Sequence, residues 1–136
     1  MSKILSIDYG EKRIGVAISD ELKILAGGVS SLENKGINFV ISEIKKLCQE
    51  NRVAKIIIGL PLSLRGKKTD QTKEVEKFVA FFKKKIKMPV ELVDERFSSV
   101  LAKKYILKRG GRYRKEEIDT LAAKILLQDY LDKLKK

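Results

Sequence analysis

Lys3-Ile4-Leu5-Ser6-Ile7-Asp8, then Tyr9-Gly10-Glu11-Lys12, then Arg13-Ile14-Gly15-Val16-Ala17-Ile18-Ser19 sets the fold class. Lys3–Asp8 and Arg13–Ser19 are β-rich runs, and the four residues between them suit a hairpin. A third, weaker run covers Ile24–Ser30, where the Gly27-Gly28 pair predicts a bulge or close packing. The chain therefore opens with three antiparallel strands.

Beyond the third strand the period changes. Ile37, Val40, Ile41, Ile44, Leu47 and Cys48 recur at the three-and-four spacing of an amphipathic helix. Val53–Gly59 is a continuous apolar strand of the kind buried on both faces. A polar, basic loop, Ser63–Asp70, leads to a second helix with Val75, Phe78, Val79, Phe82 and Ile86 on one face, and Pro89–Val93 reads as a fifth strand. A helix is expected from Ser98 or Ser99 to about Lys108, where Gly110-Gly111 is a stop signal. Arg109–Lys115 reads as a mobile basic loop, and a last helix spans roughly Glu116–Lys133. The order βββαβαβαα implies an α/β fold: a five-stranded mixed sheet, order 3-2-1-4-5, with helices on both faces. The first strand is then central, and ligands gather at its C-terminal end, where Asp8 sits.

A length of 136 residues suits one domain spanning 1–136, and 43% hydrophobic residues supply its core. Lys and Arg total 30 against 18 Asp and Glu, a net charge of +12 that attracts polyphosphates. The apolar runs are too short to span a bilayer, and no signal peptide is legible, so a cytoplasmic protein without membrane attachment is expected. Cys48 is the single cysteine and histidine is absent, which excludes an internal disulfide and a Cys/His zinc site. Any metal must be held by oxygen, which points to Mg²⁺ or Mn²⁺.

Three carboxylates stand where such an ion would bind. Asp8 ends the most hydrophobic strand and is costly to bury unless paired or bound to a cation, although an acid organising the hairpin turn would also fit. Glu95, just past the fifth strand, should share its rim; Asp94 competes with it, and strand alternation does not choose between them. Asp119 lies on the helical face of Ala122, Ala123 and Leu126, where small residues leave room for a close approach; a helix-dipole role is the alternative. Together they suit divalent metal, and two ions about 4 Å apart can drive phosphodiester hydrolysis. Around them, Lys12, Arg13, Arg65, Lys67, Lys68, Arg96, Arg112, Arg114 and Lys115 are candidates for phosphate contact, by backbone and shape rather than base edges.

Ile7-Asp8-Tyr9-Gly10, Lys12–Asp20, Gly59-Leu60-Pro61-Leu62, Gln71-Thr72, Val93–Ser98, and Asp119 to Leu131 with Ala122-Ala123 and Gln128-Asp129-Tyr130-Leu131 resemble, in order, the YqgF (RuvX) family. The resemblance implies an RNase H-like fold related to Holliday-junction resolvases. It implies a nuclease maturing the 5′ end of pre-16S rRNA in ribosome biogenesis, or a resolvase of branched DNA, with the family's acids on Asp8, Glu95 and Asp119. One departure stands out: the related resolvases carry their second acid at the end of the fourth strand, where this chain has Gly59-Leu60-Pro61. Glu95 must substitute for it. Rival readings are a structured-RNA binding module without catalysis, and an actin-like ATPase, for which 136 residues supply one of two required domains. A monomer or a homodimer is compatible, the dimer being what symmetric junction cutting needs.

Overall fold

The computed structural model describes residues 3–23, 25–63, 65–95 and 115–134. The strands are β1 (Lys3–Asp8), β2 (Arg13–Ser19), β3 (Ala26–Glu33), β4 (Val53–Leu60) and β5 (Val90–Asp94); the helices among the described residues are α1 (Ile37–Asn51), α2 (Asp70–Lys85) and α3 (Lys115–Leu134). One sheet runs β3-β2-β1-β4-β5, the order the chain's pattern implies. β1 pairs antiparallel with β2 and parallel with β4, so its end and the end of β4 open on the same rim.

The central strand is covered on both faces. Leu5 and Ile7 join Ile56 and Ile58 beneath α1 and α2, packed on Val40, Ile44, Val75 and Phe82. Ile4 and Ile57 face the other way, against Ala123, Leu126, Leu127 and Leu131 of α3. Each fully buried leucine in that layer stabilises by roughly 1.5–3 kcal/mol. Polar contacts set the helix's register: the Ser6 hydroxyl donates to the Ala123 carbonyl at 2.8 Å, and the Ala26 amide donates to Gln128 Oε1 at 2.9 Å. Gln128 and Tyr130, part of the C-terminal motif, thus serve the fold; Lys55 bonds both Tyr130 and Glu91.

The third strand lies later and runs longer than its composition suggests, Ala26–Glu33 in place of Ile24–Ser30. Its pairing with β2 continues to Arg13–Glu33, and the Asn34 amide then donates to the Lys12 carbonyl at 2.9 Å. Backbone pairing overrides a weak, serine-rich sequence signal. The bulge is there: Val16 opposes Ser30 while Ala17 opposes Gly28, leaving one extra residue on β3. The last helix starts and ends one residue beyond the expected Glu116–Lys133. The helix expected over 98–108, the loop over 109–114, Arg96, Arg112 and Arg114 lie outside the described residues, as does the side chain of Lys115. No helix among the described residues is long and apolar enough to cross a membrane.

Candidate active site

Asp8 occupies the last position of β1, and the residues beside it on both neighbouring strands are glycines. Gly15 of β2 is its register partner. On the other side Ile7 pairs with Ile58, so the next residue of β4 is Gly59. Both gaps are filled by the other two acids' segments. A Cβ on Gly15 would lie 2.0 Å from the Asp119 carbonyl oxygen, so the missing side chain lets the α3 backbone press onto β2. A Cβ on Gly59 would lie 2.4 Å from Glu95 Oε2 and 2.5 Å from its carboxyl carbon. The space that a side chain would take at the end of β4 is filled by a carboxylate arriving from beyond β5.

This answers the departure at Gly59-Leu60-Pro61. At the end of β4 it is the Glu95 carboxylate that stands beside Asp8, and glycine at 59 leaves it room. The Glu95 amide donates to the Leu60 carbonyl at 3.2 Å, which fixes the chain as it leaves β5. Asp94 pairs with Leu60 in the sheet and its side chain is exposed, whereas Glu95 is buried. Of the two competing acids, Glu95 is the one that lines the cleft.

The cleft has a volume of about 270 Å³ and brings Asp8, Glu95 and Asp119 together. Tyr9, Gly10 and Gln71 close one side, and Pro61 with Leu62 another. Burial pushes the Asp8 carboxyl up to about 6, a rise that a hydrogen bond from Glu95 opposes and the charge of Asp119 assists. Burial and then the Asp8 charge push Glu95 well above the usual carboxylate range. Of the two carboxyl groups Glu95 is the more strongly raised, so it is the one that favours its protonated form beside Asp8.

Asp119 is arranged differently. Its Oδ2 receives the Arg13 Nε hydrogen at 2.9 Å, both side chains being about a quarter exposed (25% and 23%). Arg13, expected to meet phosphate, therefore spends its charge on an acid of the cleft. Lys12 is exposed, and its carbonyl serves the β3 connection. Arg65, Lys67 and Lys68 are exposed on the loop that leaves the cleft after Leu62; none lines it, and Lys68 pairs with Glu76 at 2.8 Å. Gly10, read as an opening for a close ligand, answers first to its own turn, since a Cβ there would lie 2.3 Å from the Arg13 carbonyl oxygen. Cys48 is buried and its thiol is pushed up to about 11, so it is no nucleophile at neutral pH.

The donor set suits a hard cation. Glu95 Oε2 is buried without a hydrogen-bond partner, an unused lone-pair site beside a second carboxylate. Asp8 and Glu95 fit as a pair, while Asp119 is engaged by Arg13; among the described residues no group of three acidic or cysteine side chains is arranged to hold an ion together in this conformation.

The roles of Gly15 and Gly59 escaped the sequence reading. A glycine inside a strand next to a candidate acid is the signal that could have found them.

The fold and the motifs have known counterparts. The chain superposes on RuvC of T. thermophilus in complex with a Holliday junction substrate with a TM-score of 0.60 at 13% identity, covering 98% of this chain and 96% of that one. A Fowlpox virus resolvase, also in complex with junction DNA, gives 0.58 at 15% identity, covering 98% and 99%. These likenesses establish the RNase H-like fold of the RuvC-type resolvases. At the level of sequence, proteins named "Putative pre-16S rRNA nuclease" from Maridesulfovibrio salexigens and from Syntrophomonas wolfei are 40% and 41% identical to it. The first alignment covers 95% of this chain and 97% of the relative, the second 96% and 94%. The model of the RuvX family, described as Holliday junction resolvase, matches residues 2–133, and the chain belongs to that family.

Proposed function

We propose that this protein is a divalent-metal-dependent endonuclease that hydrolyses phosphodiester bonds, with precursor 16S rRNA as its substrate in the cytoplasm and 5′-end maturation as its role. The observation that carries the reading is the meeting of Asp8, Glu95 and Asp119 in one cleft at the end of the central strand. Asp8 and Glu95 would hold the ion, Mg²⁺ or Mn²⁺, with Asp119 as the third acid. When bound, the ion lowers the pKa of a water and polarises the phosphate. Glu95 must give up its proton for this, and Asp8, already accepting from it, orients the shared edge. Gly15 and Gly59 keep the three acids within one cleft by admitting α3 and Glu95 so closely. The rRNA substrate is supported by relatives of about 40% identity over nearly the whole chain that carry that name. Phosphates flanking the cut would meet Lys12, Arg65, Lys67, Lys68, Lys115 at the start of α3 and, outside the described residues, Arg96, Arg112 and Arg114, with Arg13 available once it parts from Asp119.

A branched-DNA substrate is the second reading, favoured by the family's description as a Holliday junction resolvase. Two strands would then be cut by two copies of the chain in a symmetric dimer. The test incubates the protein with precursor rRNA fragments and with four-way junctions, in Mg²⁺, Mn²⁺ and EDTA, beside Asp8→Asn. Metal-dependent cutting lost in Asp8→Asn establishes the nuclease, and the substrate cut selects the role. Binding of both without cutting would leave a nucleic-acid binding module in its place.

A further inference from the structure

We propose that Gln71 is the substrate-holding donor of the carboxylate cleft, its carboxamide donating to a non-bridging phosphate oxygen of the strand lying over Asp8 and Glu95; the proposal rests on the nuclease reading above.

The cleft poses a chemical problem that its acids do not solve. A phosphodiester entering it meets the acids Asp8, Glu95 and Asp119, which repel or compete with it, and Pro61 and Leu62, which have no side-chain donors. Tyr9 is committed elsewhere: its ring packs on Phe78 at 4.4 Å and its hydroxyl accepts from Asn34 at 3.3 Å. Gln71 lines the cleft, is exposed, and its carboxamide bonds to no described residue. Among the described side chains that line the cleft, it is the one that carries N–H donors, and these meet no protein acceptor. A neutral amide can hold phosphate there without competing with a cation for the carboxylates, which a lysine would do.

Gln71 is also placed firmly. It is the second residue of α2, whose first turn is closed by a reciprocal cap between Thr69 and Thr72. The buried Thr72 hydroxyl donates to the Pro61 carbonyl, tying that turn to the end of β4. The cap and this tie account for the threonine of the Gln71-Thr72 motif. They do not account for the glutamine, which adds nothing to the core. Gln71 further borders an adjoining pocket of about 310 Å³ with Tyr9, Glu11 and Glu74, so it stands where a strand would leave the three acids.

The test measures fluorescence anisotropy of a labelled precursor rRNA fragment and a four-way junction with the Asp8→Asn protein in Mg²⁺, alone and combined with Gln71→Ala or Gln71→Glu. Cleavage by the Gln71 single variants runs in parallel. Gln71→Ala should weaken binding roughly ten- to hundredfold, the range for one hydrogen bond to a charged group. Gln71→Glu should weaken it more by adding a negative charge to an acidic cleft, with melting temperatures unchanged in both. Weakened binding without cleavage in any protein would uphold Gln71 and sink the nuclease reading. Normal cleavage and binding in both variants would do the reverse. No binding of either nucleic acid by the parent protein, or an equal loss of melting temperature in both variants, would overturn the proposal.

Discussion

Replacing Gly59 with alanine should separate the site from the fold. The added Cβ would stand 2.4 Å from Glu95 Oε2, whereas ordinary contact begins near 3.4 Å, so the carboxylate must retreat by about 1 Å. Oxygen ligands of Mg²⁺ lie at about 2.0–2.1 Å, with a tolerance near 0.2 Å, so the displacement is roughly five times what the ion accepts. A misplacement of this size costs on the order of a hundredfold in rate. The fold should hardly notice. The clashing atoms end a flexible side chain, Gly59 is not among the glycines with positive φ, and alanine gains up to about 1 kcal/mol in a strand. Gly59→Ala should therefore melt within a few degrees of the parent, lose Mn²⁺ affinity by calorimetric titration, and cut about a hundredfold more slowly. Adding Glu95→Asp, one methylene shorter, should recover part of the Mn²⁺ binding. Unchanged Mn²⁺ affinity and cleavage in Gly59→Ala would refute the claim that glycine makes room for the migrated acid.

The same geometry fixes three further outcomes. Because Asp8 and Glu95 are raised above their unfolded values near 4, the folded protein keeps protons that the unfolded chain releases. The stability these two groups contribute is then fully present below about 4 and is lost as pH rises through about 6 and beyond; in EDTA the parent should lose more melting temperature between pH 5 and 8 than Glu95→Gln, and equal losses would contradict the assignment. Gly15→Ala places its Cβ 2.0 Å from the Asp119 backbone oxygen, so a helix rather than a side chain must move; overpacking of about 1–3 kcal/mol should lower the melting temperature by roughly 5–10 °C, and a fully stable variant would argue against the close approach of α3. Arg13→Ala removes a partly exposed pair worth under about 1 kcal/mol, so stability should change little while Mn²⁺ affinity rises as Asp119 loses its competitor; calorimetry showing unchanged affinity would remove Arg13 from that role.

Periodicity and composition were enough to specify the architecture and to single out three acids that share one cleft. Two β-rich runs around Tyr9-Gly10, an apolar run at Val53–Gly59 and helical spacing between them leave few topologies for a chain of this length, because parallel strands need crossovers and hairpins do not. Hydrophobic neighbours made Asp8 and Asp119 conspicuous, since an acid on an apolar strand or face is costly without a purpose. Three matters waited on the packed chain. Packing buried Glu95 in the cleft and left Asp94 exposed, because their placement depends on where the chain turns after β5, a matter of one backbone bond to Leu60. It paired Arg13 with Asp119, residues 106 positions apart whose pairing depends on helix docking. It also gave Gly15 and Gly59 their meaning. A glycine records only that nothing occupies a space, and what fills that space comes from another part of the chain.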